Sequence, residues 1–290
     1  MRGAVREDVS LAAMCSYRVG GPAALLVAPA DRDDLASLLR ICKDRELAML
    51  ILGGGSNLLV ADAGFAGVVI RLRAPEFQRI DVEEGVLHLG AGVRVSRLMG
   101  RAGRNGWRRL AFLEGIPGTV GGCVAMNAGT RDGEIKDILL QADVVTSDGQ
   151  QRTLSNADCG FGYRRSGLPS SAVVIGAAVD PGTGDPAEVK RALKDHHAYR
   201  KATQPPGTSG GSVFANPPGD HAGRLIEAAG LKGFRQGAAR ISEHHANWIV
   251  TEAGATAADV YGLIQTAQHR VQDQFGVRLR LENRVVGFDR

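Results

Sequence analysis

Two glycine-rich turns and one serine framed by glycines are the features of this 290-residue chain best suited to chemistry. The first turn, in "LGGGSN", follows a predicted strand and puts Gly53, Gly54, Gly55, Ser56 and Asn57 into one tight bend. Backbone N–H groups left bare in such a bend form a nest that binds phosphate oxygens, although a plain glycine hairpin fits the same residues. A second cluster, Gly115-Ile116-Pro117-Gly118-Thr119-Val120-Gly121-Gly122, offers another close approach to a ligand. Two such turns suit a long ligand with a diphosphate in its middle. Neither reads GxGxxG after a strand or GxxxxGK[ST], so a Rossmann or P-loop site is not indicated.

Ser212, in "GGSVFANP", either shapes a turn or delivers a proton; its residue type alone leaves both open. Arg164 beside Arg165, and Glu282 between Leu281 and Asn283, read singly as a surface arginine and a solvated strand position. None of the 7 histidines has metal-ligand spacing with a second ligand, so no metal is expected. Cys15, Cys42, Cys123 and Cys159 form no CxxC, which indicates neither a zinc site nor a disulfide framework.

The elements that must hold these residues show in the hydrophobic pattern. "AALLVAP" and "LAMLIL" read as strands around a helix over 31–46, with Leu35, Leu38, Leu39 and Cys42 on one face. "LLVAD" and "GVVIRL" add extended chain. Shorter strands follow between glycine turns ("VLHLGAG", "ADVVTSDG", "SAVVIGAAV"), with helices over 95–105 and 186–200; Val189, Leu193 and His196 or His197 line one side of the second. "ATQPPGTSGG" is the best boundary signal in the chain. Beyond it come a helix over 222–229, strand-like "HANWIVT", a helix over 257–275, and the extended runs "VRLRL" and "RVVGF".

The composition fits an ordinary globular protein with a sizeable core: 44% hydrophobic residues, 39 glycines against 11 prolines, and a formal charge of +4. With no basic stripe interleaved with aromatics, anionic small molecules are better partners than nucleic acid. No window reaches the length of a membrane helix, and the apolar stretch 11–15 is too short for a signal peptide, so a cytoplasmic protein without membrane partners is expected.

Seven motifs, in this order, resemble the UDP-N-acetylenolpyruvoylglucosamine reductases, the MurB family. They are "YRVGGPA" at Tyr17, "ILGGGSNLLVAD" at Ile51, "GIPGTVGG…NAG" at Gly115, "CGFGYRRS" at Cys159, "GSVFANP" at Gly211, "AGLKGFRQGAARISEHHANWIV" at Ala229 and "LENRVVGF" at Leu281. The resemblance runs from Ser16 to Gly287. It implies an α+β protein: a two-lobed FAD-binding domain of the vanillyl-alcohol-oxidase-like type (1–72 and 73–202, the latter joined by the C-terminal strand 278–290) plus a smaller α+β substrate-binding domain over 203–277.

The implied activity is reduction of UDP-N-acetylglucosamine enolpyruvate to UDP-N-acetylmuramate, a peptidoglycan precursor, through non-covalent FAD and with NADPH as co-substrate. By resemblance, Ser212 is the proton donor, with Arg164 and Glu282 as its catalytic partners. The same likeness assigns FAD to Gly53, Gly54, Gly55, Ser56, Asn57, Gly115, Ile116, Pro117, Gly118, Thr119, Gly121, Gly122, Asn127 and Gly129. It assigns substrate contacts to Asn216, Tyr163 and His245. Ala215 stands where the family usually has Lys, and Thr130-Arg131-Asp132 replaces the more frequent residues after "NAG". The chain also lacks the additional tyrosine-bearing segment of longer members, which places it with the shorter subtype. Two alternatives stay open: a flavin oxidase or dehydrogenase acting on a sugar or alcohol, and a catalytically silent flavin-binding paralogue.

Overall fold

The structure, a computed structural model, describes residues 1–169 and 171–288. The chain folds into two compact units, each with its own apolar core. Unit 1 comprises Met1–Glu7, Leu25–Gly54 and Gly67–Arg200; unit 2 comprises Asp8–Ala24, Gly55–Ala66 and the chain from Lys201 onward.

Unit 1 carries most of a four-stranded sheet in the order Ala4–Ser10, Pro22–Ala28, Phe65–Ile70, Met49–Ile51. Helix α1, Arg32–Asp44, starts where the Asp31 carboxylate accepts the Asp34 N–H. Its Leu35, Leu38, Leu39 and Cys42 are all buried, as their spacing requires. A second sheet is antiparallel, in the order Gln151–Ser155, Leu139–Val145, Val173–Val179, Val86–Gly90, Ile80–Glu83. Its third strand is buried along its whole length. Helix α2, Val95–Asn105, stops at Gly106, whose φ of 68° is left-handed.

One short helix escapes the hydrophobic pattern. The second glycine cluster turns at Thr119 into α3, Val120–Met126, which ends on Asn127 with φ 46°. Helix α4, Pro186–Thr203, packs Val189 and Leu193 on the core and leaves His197 exposed, so its buried side continues through His196.

Unit 2 holds a four-stranded antiparallel sheet in the order Thr208–Ser212, Trp248–Thr251, Ala239–Ile241, Arg235–Gln236. Helices α5, Ala222–Ala228, and α6, Ala257–Phe275, bury Leu225, Ile226, Val260, Leu263 and Ile264. A Thr256–Asp259 capping box opens α6 and Gly276 closes it at φ 67°. Of the two closing runs, "VRLRL" forms no strand and makes only an isolated bridge from Leu281 to Phe214, while Arg284–Val286 forms a strand. That strand pairs in parallel with Leu58–Val60. This differs from the sequence expectation, which joined 278–290 to the 73–202 lobe; its residues 289 and 290 lie outside the described residues. The reason is the backbone of the first glycine turn, where the Arg284 N–H donates to the Asn57 carbonyl at 2.9 Å and starts the register.

Candidate active site

Gly53 and Gly54 of the first glycine cluster meet the second cluster inside unit 1. A Cβ on Gly53 would stand 2.6 Å from the Thr119 hydroxyl, and one on Gly54 would stand 2.6 Å from the α-carbon of Gly118. Side chains are thus excluded from both positions by the opposing turn, which leaves backbone as the exposed material of the pair. Gly115 and Gly118 have φ of 71° and 120°, conformations that glycine adopts at little cost. Gly121 packs on Ala91, whereas a Cβ on Gly122 would meet nothing closer than the Thr119 hydroxyl at 3.7 Å. The absence of a side chain at Gly122 is therefore not demanded by packing. Such bare, closely approached turns fit a flavin dinucleotide, whose diphosphate needs backbone amides more than side chains.

Other residues assigned to the cofactor serve the protein itself. Asn127 is fully buried; its Nδ2 donates to Glu134 Oε2 at 2.6 Å and to the Gly162 carbonyl at 3.2 Å, and its Oδ1 accepts the Lys136 N–H at 3.0 Å. Gly129 forms a short hairpin with Glu134, whose Cβ would lie 2.5 Å from a Cβ at 129. Ile116 packs against the unit 1 core.

Asn127 also fastens the turn that presents Arg164. Gly162 and Arg165 exchange both backbone hydrogen bonds, at 3.0 and 3.1 Å, and Ser166 Oγ donates to the Ala125 carbonyl at 2.8 Å. Arg164 sits in that turn at φ 55°, a left-handed conformation that costs an arginine about 1–2 kcal/mol. Its guanidinium lies 5.3 Å from the centre of the exposed Tyr163 ring. A second cation, which the sequence did not single out, is Arg200 on α4. Its side chain lies flat on Gly115, where a Cβ would be 2.7 Å from Arg200 Cδ. Burial lowers the Arg200 pKa; Glu114 opposes that shift and Arg164 adds to it. Arg200, on the glycine turn, and Arg164 thus lie near enough to feel one another's charge.

Ser212 and Glu282 are neighbours in unit 2, although 70 positions separate them. A register irregularity between Ser209 and Ser212, with Gly211 at φ 79°, turns the end of the first strand. The following residue, Val213, accepts the N–H groups of Glu282 at 2.8 Å and Asn283 at 3.2 Å on its carbonyl. Phe214 bridges Leu281, and the Ala215 N–H donates to the Arg280 carbonyl at 3.0 Å, so 213–215 runs alongside 280–283. The buried Asn247 amide clamps Phe214 from both sides, accepting its N–H at 3.0 Å and donating to its carbonyl at 2.8 Å.

The residues assigned to the substrate have structural partners too. Asn216 Oδ1 accepts the Ala222 N–H at 3.0 Å and so secures the start of α5. His245 Nδ1 accepts the Asn247 N–H at 3.2 Å, and burial pushes its pKa below the usual imidazole value. Gly55, Ser56 and Asn57 belong to unit 2, where the Gly55 carbonyl accepts the Ser16 N–H at 2.9 Å. Asn57 reaches further, to Glu282 and Asn283. Tyr17 and Asn283 were missed by sequence reasoning; their only signal was membership of the motifs "YRVGG" and "LENR".

Comparison with known proteins agrees with this geometry. A family model described as FAD binding domain matches residues 23–155, and one described as UDP-N-acetylenolpyruvoylglucosamine reductase, C-terminal domain, matches 202–286. The UDP-N-acetylenolpyruvoylglucosamine reductase of Anaeromyxobacter sp. (strain Fw109-5) is 47% identical over 99% of this chain and 90% of its own length. That of Myxococcus xanthus is 43% identical over 98% and 92%. The crystal structure of the corresponding reductase (MurB) from Thermus caldophilus superposes with a TM-score of 0.84 at 39% identity, covering 98% of this chain and 99% of that one.

Proposed function

The chain belongs to the UDP-N-acetylenolpyruvoylglucosamine reductase family, and from that membership we propose the roles its residues take in the reaction. The protein is an FAD-containing oxidoreductase that uses NADPH to reduce the enolpyruvyl ether of a UDP-sugar in peptidoglycan precursor synthesis. Its fold is the α+β class, with the two-lobed flavin domain of vanillyl-alcohol-oxidase-like proteins. Bound FAD supplies the means of carrying a hydride from NADPH to the terminal vinyl carbon of the substrate.

Hydride addition there leaves an electron pair delocalised onto the neighbouring carboxylate, and the adjacent carbon must then gain one proton. Ser212 gives that proton. A hydroxyl is a weak acid, so it protonates only a strongly basic carbon held in line with it. Glu282 faces the same developing charge and works as an acid or hydrogen-bond donor, because a second bare carboxylate would repel the substrate's. Arg164 supplies the cation that the enolate needs. The observation that carries this reading is the Glu282 N–H bonded to the Val213 carbonyl, next to Ser212.

The glycine turns at 53–57 and 115–122 hold the flavin, and Asn216, Tyr163 and His245 line the substrate. UDP-N-acetylglucosamine enolpyruvate is the substrate we assign, and the cytoplasm the compartment. Among the described residues no helix is long and apolar enough to cross a membrane. The test is direct. The purified protein is expected to be yellow and to oxidise NADPH only when the enolpyruvyl UDP-sugar is present; a flavoprotein without substrate-dependent oxidation contradicts the assignment.

A further inference from the structure

The buried carboxamide of Asn283 is 4% exposed and touches every backbone segment that bears a reacting group of unit 2. Its Nδ2 donates to Asn57 Oδ1 at 2.7 Å, the Gly210 carbonyl at 3.0 Å and the Ser212 carbonyl at 3.2 Å, so two hydrogens are shared among three oxygens. Its Oδ1 accepts the Tyr17 hydroxyl at 2.7 Å. Tyr17 is fully buried, and burial drives its hydroxyl well above the ordinary phenol range, so it stays protonated and donates.

The Gly210 and Ser212 carbonyls, which can only accept, fix the polarity of the chain of bonds. They require the Asn283 Nδ2 on their side, which leaves its Oδ1 to accept from the Tyr17 hydroxyl. Asn57 must then accept on its own Oδ1, which turns its Nδ2 to the Glu282 carbonyl at 2.8 Å. The direction runs Tyr17 to Asn283 to Asn57 to Glu282 without a conflict, and each donor in such a chain strengthens the next. Tyr17 is itself held in place. Its carbonyl accepts the Thr251 hydroxyl at 2.8 Å, and Gly210 leaves room for its ring, because a Cβ there would lie 2.1 Å from Tyr17 Cε2.

We propose that Asn283 is a positioning residue for proton delivery by Ser212, held in place by Tyr17. One carboxamide, on the residue next to Glu282, ties that segment to the Ser212 end, bonding to the Gly210 and Ser212 carbonyls directly and to the Glu282 carbonyl through Asn57. This rests on the reading above in which Ser212 and Glu282 act on the reacting carbon. Loss of the carboxamide leaves the backbone pairing of 213–215 with 280–283 in place but frees the Gly210 and Ser212 carbonyls, so the Ser212 end can shift, and a displacement of about 1 Å costs proton transfer about a hundredfold. Flavin reduction by NADPH needs neither group and is spared.

The experiment uses the full-length flavoprotein and the variants Tyr17→Phe, Asn283→Ala and the double variant. The rates of flavin reduction by NADPH and of reoxidation by the enolpyruvyl UDP-sugar are measured separately. Flavin content, melting temperature and substrate dissociation constant, the last from the flavin absorbance change, are read alongside. Both single variants are expected to keep flavin content, flavin reduction and substrate binding within about threefold, while reoxidation slows about 10- to 100-fold. The double variant is expected to be no slower than Asn283→Ala, because Tyr17 acts through Asn283. Equal slowing of both half-reactions, unchanged reoxidation, or multiplying losses in the double variant overturns the proposal. If Asn283→Ala does not fold, Tyr17→Phe, which removes a single oxygen, decides by the same split. A wild-type protein that the UDP-sugar cannot reoxidise overturns the functional assignment itself, an outcome distinct from active wild type with unaffected variants.

Discussion

The side-chain amide of Asn57, in the first glycine turn, donates to the backbone carbonyl of Glu282 at 2.8 Å, across 225 positions of sequence. A residue of the first glycine turn is thereby bonded to the segment that carries the proposed catalytic carboxylate. Asn57→Ala removes both this bond and the acceptor for Asn283, at a cost of about 1–3 kcal/mol for the buried groups left unpaired. We expect a melting temperature below wild type and turnover reduced at least tenfold. Calorimetry and steady-state kinetics check both, and wild-type turnover would mean that Glu282 is held without Asn57.

Gly54 and Gly122 are expected to separate packing from ligand binding. Gly54→Ala drives a Cβ to 2.6 Å from the Gly118 backbone, which cannot swing aside as a side chain can, at about 1–3 kcal/mol. Gly122→Ala meets only an ordinary contact at 3.7 Å within α3 and leaves stability unchanged or higher by up to about 1 kcal/mol. Urea unfolding with flavin absorbance should show both properties damaged in the first variant and flavin affinity alone reduced in the second. Full flavin retention by Gly122→Ala removes that residue from the cofactor site.

Arg164 occupies a left-handed conformation that glycine adopts freely. Arg164→Gly is therefore expected to unfold no more easily than wild type, with a gain of up to about 1 kcal/mol, while turnover falls more than a hundredfold. Denaturation midpoints and kcat measured on one preparation test the opposition. A variant that is both unstable and inactive would make the residue structural.

Burial holds the His245 imidazole below its ordinary value of 6.5, and the ring already accepts the Asn247 N–H. The unfolded chain thus takes up the proton first as the solution is acidified. The stability tied to this group is complete above pH 6.5 and is lost as pH falls from there through the lower folded value. Melting curves across that window should fall less steeply for His245→Gln than for wild type; parallel curves contradict the assignment.

What the sequence alone determined is what short-range physics encodes. The spacing of Leu35, Leu38, Leu39 and Cys42 dictated a buried helical face, and Val95–Asn105 and Ala257–Phe275 were legible to their ends because glycines close both. The glycine clusters were legible as bare backbone, and Ser212, Arg164 and Glu282 as members of an ordered set of motifs. Helix α3 was not legible, because glycines at its start hide an amphipathic pattern.

Only the tertiary structure decided which residues meet. That Gly54 faces Gly118, that Arg200 lies on Gly115, and that Asn283 joins Tyr17, Asn57 and Ser212 are consequences of strand pairing between distant segments. The parallel pairing of Arg284–Val286 with Leu58–Val60 brings Glu282 to the first glycine turn. No local propensity specifies such a pairing, because its hydrogen bonds and buried side chains exist only once both segments are in place.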